Sequence, residues 1–125
     1  MRKVLVDTSV WIEFLKGNQE FYQPMVNIME QGEIYTFELI FAELLQGVKN
    51  NRERTLIINF YQQMRVLDYP RMIVNAGEFA GSNKLLDRGI GLIDAVIIYA
   101  ANQFGLELWT LDRKILGYLE RSSEK

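Results

Sequence analysis

The apolar run Lys3-Val4-Leu5-Val6 stops abruptly at the polar Asp7-Thr8-Ser9. That break reads as a buried strand feeding a helix, with Thr8 or Ser9 able to cap it. Trp11, Ile12 and Leu15 give this helix one apolar face up to Gly17. A second helix is predicted from about Gln19, carrying Phe21, Met25, Ile28 and Met29 and stopped by Gly32. Residues 34–37, Ile-Tyr-Thr-Phe, are aromatic and β-branched, which predicts a second strand. Ile40, Phe41, Leu44, Leu45 and Val48 then fall at helical spacing.

Residues 52–65 predict another helix, with Leu56, Ile57, Phe60, Tyr61 and Met64 on its inner face. Residues 66–68 form a short strand before Pro70. The pattern over 72–87 is helical despite Gly77 and Gly81, and Gly89 and Gly91 end it. Residues 92–104 are apolar nearly all round, which marks a buried helix, and Gly105 stops it. Residues 106–110 are the clearest late strand, followed by a last helix around 114–119. Strands alternating with helices of this length imply βαβ units with right-handed crossovers. The expected fold is an α/β three-layer sandwich with a short, mostly parallel central sheet. With 125 residues, one domain over 1–125 is expected to bury an adequate core without staples.

Composition narrows the chemistry. Fourteen Lys plus Arg against sixteen Asp plus Glu leave a net charge of −2. A nucleic-acid partner therefore has to be held by local basic clusters or through bound cations. The chain has no Cys and no His, which excludes disulfides, thiolate catalysis, Ser-His-Asp triads and every His- or Cys-ligated metal site. Carboxylates, Lys, Tyr and Ser/Thr remain, and sixteen carboxylates make Mg²⁺ and Mn²⁺ the natural metals. No signal-type segment is visible, and the longest strongly apolar run, residues 96–101, is far short of the ~20 needed to span a bilayer. The expectation is a cytoplasmic protein with no membrane partner.

Ligands of an open parallel sheet bind beyond the carboxyl ends of its strands, near the point where strand order reverses. Asp7 follows the first strand, Asp112 follows the last, and Asp94 opens the apolar helix between them. Since 112 − 94 = 18 residues make one αβ unit, Asp94 and Asp112 can face the same sheet end. Taken singly, each acid has a plain reading. Asp7 can start a helix, Asp94 is favoured in a first turn by the helix dipole, and Asp112 can be a turn residue. Glu43 lies off the Ile40/Leu44/Val48 stripe, as a solvated surface Glu would. Asp94, however, is flanked by Leu92, Ile93, Ala95 and Val96, where an acid is costly unless paired or metal-bound. Carboxylates gathered at one sheet edge cannot all stay ionised without cations. A divalent metal resolves that conflict and suits phosphodiester hydrolysis.

Asp7 in VLVDTSVWIEFLKG, Glu43 in FAELLQGV, Asp94 in GLIDAVIIYAANQFG and Asp112 in LELWTLDRKI stand in an order that resembles the PIN-domain ribonucleases. Within that superfamily the chain is most similar to the VapC-type toxins of toxin–antitoxin pairs, from residue 3 to about 118. The resemblance implies a metal-dependent endoribonuclease. Asp7, Asp94 and Asp112 are then the ligands of Mg²⁺ or Mn²⁺, with Glu43 as the fourth catalytic acid completing the pocket. Thr8 and Thr110 fall where the family often places small hydroxyls. The resemblance further implies an RNA substrate cut to 3′-hydroxyl and 5′-phosphate ends. It also implies a cognate antitoxin that inserts a segment into the acidic cleft, and a homodimer. Exposed apolar residues of the Ile12/Leu15 and Leu56/Phe60 helices are its expected contacts.

Two departures stand out. Many relatives continue after the fourth acid with Asp-Phe, whereas Lys114-Ile115 stands here, so an acid is exchanged for a cation. The polar residues 120–125 show no last short strand. For RNA grip there are three basic clusters: Lys49 with Arg52 and Arg54, Lys84 with Arg88, and Arg113 with Lys114 and Arg121. Such clusters serve as phosphate contacts or as solvated faces. Trp11, Phe14, Phe41 and Trp109 have core-like spacing. Two rival readings are a catalytically silent PIN module for RNA or protein binding, and a phosphatase of the haloacid dehalogenase type. The phosphatase wants a second Asp two residues after the first, where this chain has Ser9.

Overall fold

The computed structural model describes residues 1–123. Four strands, β1 (Lys3–Val6), β2 (Glu33–Thr36), β3 (Arg65–Val66) and β4 (Glu107–Trp109), form one sheet in the order β3-β2-β1-β4. Every pairing is parallel, with Leu5 opposite both Tyr35 and Leu108, and Thr36 opposite Val66. Seven α-helices flank the sheet: α1 (Thr8–Leu15), α2 (Gln19–Gln31), α3 (Glu38–Gln46), α4 (Asn51–Gln63), α5 (Met72–Ser82), α6 (Leu92–Phe104) and α7 (Arg113–Ser123). The expected α/β sandwich is the one observed, and its sheet is parallel throughout.

Val4, Leu5 and Val6 are all fully buried, although strand residues alternate between faces. Both faces of β1 are therefore covered, as parallel sheets require. Helix α2 packs on β2 and α6 on β4, while α1 meets α2 and α3, and α5 meets α6. The ring cluster of Trp11, Phe14, Phe41 and Phe60 joins α1, α3 and α4, with centroid separations of 5.2 to 5.9 Å. Trp109 stacks on Phe21 instead (6.0 Å). The core reading of these aromatics holds.

Several boundaries differ from the sequence expectation, each for a local reason. Helix α1 is capped by Asp7 rather than by Thr8 or Ser9. The Asp7 N–H still bonds to the Trp109 carbonyl (2.9 Å), so the chain leaves the ladder only after that residue. The strand expected at 34–37 is shifted to Glu33–Thr36, because Phe37 is the N-cap position of α3. Strand β3 sits at Arg65–Val66 rather than 66–68, and the Leu67 N–H prolongs it by bonding to Thr36 O (2.9 Å). The helix expected over 72–87 ends at Ser82: Asn83 returns its amide to Phe79 O, and Lys84 takes a left-handed φ of 51°. A short 3₁₀ turn, Leu86–Arg88, follows and closes on Gly89, whose φ of 77° favours glycine. Lys84 and Arg88 thus do not share a helix face, and Arg88 lies over the Tyr118 ring. The last helix runs through Ser123, well past the expected 119, while residues 124–125 of the predicted polar end lie outside the described residues. Among the described residues no helix is long and apolar enough to cross a membrane.

Candidate active site

The strand order makes β1 and β4 the switch point. From β1 the chain steps outward to β2 and β3, then returns to the other side of β1 as β4. Loops leaving two such neighbours diverge and open a crevice between them. Asp7 and the segment 110–112 stand at the carboxyl ends of these two strands.

Asp7 is buried, with its relative exposure down to 5%. Its Oδ1 accepts the Thr8 N–H (2.7 Å), and its Oδ2 accepts the hydroxyls of Ser9 (2.9 Å) and Thr110 (2.6 Å). Both hydroxyls are oriented from the opposite loop. The Leu111 N–H donates to Ser9 Oγ (3.1 Å), and the Asp112 N–H donates to Thr110 Oγ1 (3.0 Å). Each hydroxyl is thus left with its proton for Asp7, and both donate to its Oδ2. Such charge-assisted bonds fix its position more firmly than neutral ones would. The Ser9 link was not anticipated from sequence. Its signal was there in the small hydroxyl two residues after the acid.

Asp112 caps α7: Oδ1 accepts the N–H groups of Lys114 (2.9 Å) and Ile115 (3.0 Å). That is more than the ordinary turn residue of the plain reading, and it leaves Oδ2 for other partners. Glu43, on α3, is half-buried rather than solvated, and its Oε1 accepts the Thr8 hydroxyl (2.8 Å). Thr8 thereby ties Glu43 to the first turn of α1, one residue from Asp7.

Asp94 differs from the other three. It is half-buried in the first turn of α6 and accepts no hydrogen bond from any described residue. Burial, and then the charges of Asp112, Asp7 and Glu43, push its carboxyl above the ordinary carboxylate range, while Lys114 acts in the opposite sense. The four predicted acids therefore share one electrostatic neighbourhood. Among the described residues, though, no three Asp or Glu side chains form a group able to hold a metal ion as they stand. Mg²⁺ keeps several waters and commonly takes one or two carboxylates plus substrate phosphate oxygens, so an open arrangement suits it. The donors are oxygen throughout, and an unbonded acid lies among three others. This set fits a hard divalent cation.

The basic clusters are less focused. Lys49, Arg52 and Arg54 are exposed around the start of α4, and Arg113 and Arg121 are exposed on α7. Of these basic residues, Lys114 is the one whose charge acts on Asp94. Of the expected dimer contacts, Ile12 and Leu56 are exposed and Leu15 is half-buried beside them, whereas Phe60 turns inward against Trp11 and Phe14. Ile12, Leu15 and Leu56 line an open cavity of about 390 Å³ that reaches Glu43.

Residues 4–118 match the PIN domain family. The chain belongs to that family. This PIN domain is 30% identical over 115 residues to Ribonuclease VapC32 of Mycobacterium tuberculosis, covering 90% of this chain and 86% of the relative. Its fold is similar to that of VapBC-1 from nontypeable Haemophilus influenzae, with a TM-score of 0.73 at 20% identity over 95% of this chain and 93% of that one. It is also similar to VapBC2 from Rickettsia felis bound to a DNA fragment from their promoter. There the TM-score is 0.71 at 18% identity, over 93% of this PIN domain and 92% of that chain.

Proposed function

We propose that this PIN domain is a metal-dependent endoribonuclease and the toxin of a type II toxin–antitoxin system, with residues 1–125 as one nuclease unit. The observation that carries the reading is Asp94: a half-buried carboxylate with no hydrogen-bond donor among the described residues, set among three further acids at the sheet's switch point. The relative named a ribonuclease supports the same chemistry.

In this reading Asp7 and Asp94 bind Mg²⁺ or Mn²⁺ directly, and Asp112 does so directly or through water. When bound, such a cation makes water more acidic and neutralises charge that builds on the phosphate during attack. Glu43, held by Thr8, orients the attacking water and receives its proton, which is general-base work for a carboxylate. The water oxygen bonds to phosphorus, the bond to the 3′ oxygen breaks, and that oxygen is protonated. The products are a 5′-phosphate and a 3′-hydroxyl. Ser9 and Thr110 keep Asp7 aimed while this happens.

The partners follow from the same reading: RNA as substrate, a cognate antitoxin and a second copy of the chain, all in the cytoplasm. The apolar cavity bordered by Glu43 suits an antitoxin segment that reaches the acids from the side of α1 and α3. The test is product analysis. RNA cut in Mn²⁺ or Mg²⁺ should carry 5′-phosphates that a 5′-phosphate-dependent exonuclease can digest, and EDTA should stop the cutting. Products with 2′,3′-cyclic ends, formed equally in EDTA, would contradict the reading.

A further inference from the structure

We propose that Lys114 is a phosphate-binding residue of this site, its ammonium at the pocket's rim receiving an RNA phosphate as the strand enters. The inference rests on the ribonuclease reading and deepens it. It starts from an electrostatic problem. Four carboxylates outweigh a single divalent cation, so the pocket stays net negative toward a polyanion. An RNA strand needs a positive charge at the point of entry.

Lys114 is the side chain placed to supply it. Its backbone N–H is bound to Asp112 Oδ1 (2.9 Å), which fixes where the side chain departs from α7. Its aliphatic end runs across Gly89: a β-carbon built there would meet Lys114 Cε and Nζ at 3.5 Å and Cδ at 3.6 Å. Gly89 closes the 3₁₀ turn two residues before the N-cap of α6, the helix that carries Asp94. The side chain thus bridges from α7 to the segment leading into the site. Its charge acts on Asp94, yet it forms no ion pair among the described residues. An exposed side chain, anchored at its backbone by one site acid and laid along Gly89 on the approach to another, leaves its ammonium free of any ion pair among the described residues and available to an incoming phosphate. The left-handed φ of 77° at Gly89 selects glycine there and sets the turn along which Lys114 lies.

The experiment uses the full chain and a labelled RNA fragment that the wild type cuts in Mn²⁺. Lys114→Ala should raise KM roughly 5- to 10-fold and leave kcat within about 2-fold. It should also flatten the salt dependence of log(kcat/KM) by about 0.7 to 1, the signature of one lost phosphate contact. Lys114→Arg should restore both, and Lys3→Ala, at the amino end of β1 away from the site, should change neither. Calorimetry with Mn²⁺ supplies a readout of opposite sign: Lys114→Ala should bind the cation as tightly as the wild type or more tightly. Unchanged KM and salt slope in Lys114→Ala would overturn the proposal. So would an equal loss in Lys3→Ala, or weaker Mn²⁺ binding in Lys114→Ala. A wild-type chain that binds Mn²⁺ but cuts no RNA would sink the ribonuclease reading itself, and this proposal with it.

Discussion

At the scale of residues, the site is a set of acids held in different ways, and the differences predict different mutant behaviour. Asp7 is satisfied by three donors, Asp112 by two backbone N–H groups and Glu43 by one hydroxyl, while Asp94 has none among the described residues. Its raised pKa means that the folded chain keeps this proton to higher pH than the unfolded chain does. The stabilisation from that proton is full below the ordinary carboxylate range and is lost as pH rises through it toward the folded value. In EDTA at pH 7, Asp94→Asn should therefore melt above the wild type, and the gap should close as pH falls through the ordinary carboxylate range. Thermal melts across pH check this; a wild type more stable than the variant at pH 7 would contradict it. Thr110→Val should act in the other direction. It leaves Asp7 short of a donor and the Asp112 N–H without its acceptor, at a cost of about 1–3 kcal/mol in urea unfolding. Mn²⁺ affinity should drop roughly 10-fold or more, as expected when a group that orients a ligand is removed. As candidates, Asp7, Asp94 and Asp112 stand out in the sequence because each follows an apolar strand or interrupts an apolar helix. Glu43 was legible only through family resemblance, since its helical position is that of a surface residue and its partner Thr8 lies 35 positions away.

At the scale of elements, hydrophobic periodicity gave each helix and strand its place and type, while termini depended on bonds the pattern does not encode. The Asp7 cap is decided by a ladder bond to Trp109, and the early end of α5 by the left-handed Lys84. Neither is visible in a count of apolar positions. Helix α5 also carries an intrinsic weakness at Gly77, inside the helix and with open space where a β-carbon would stand. Gly77→Ala should stabilise the chain by about 0.5–1 kcal/mol through lower backbone entropy in the unfolded state, without changing activity. Urea titration at constant slope is the check. A destabilised variant would contradict the open space assigned to that position.

At the scale of the whole molecule, topology explains why residues as far apart as Asp7 and Asp112 share a site. A parallel sheet that reverses strand order between β1 and β4 brings two loop ends together, and the Ser9 and Thr110 hydroxyls stitch them. A cation bound by these acids, as proposed, would stabilise the folded chain over the unfolded one. Saturating Mn²⁺ should raise the melting temperature, by about 2.7 kcal/mol of stability at 100 times the dissociation constant, and EDTA should reverse the gain. The most direct test of the central claim is RNA cleavage by the wild type beside Asp94→Asn, with Mn²⁺ and with EDTA. The account predicts cutting by the wild type in Mn²⁺ alone, with activity reduced by at least about 100-fold in a variant that is folded and thermally more stable. Equal cutting by both proteins, or cutting that persists in EDTA, would contradict it.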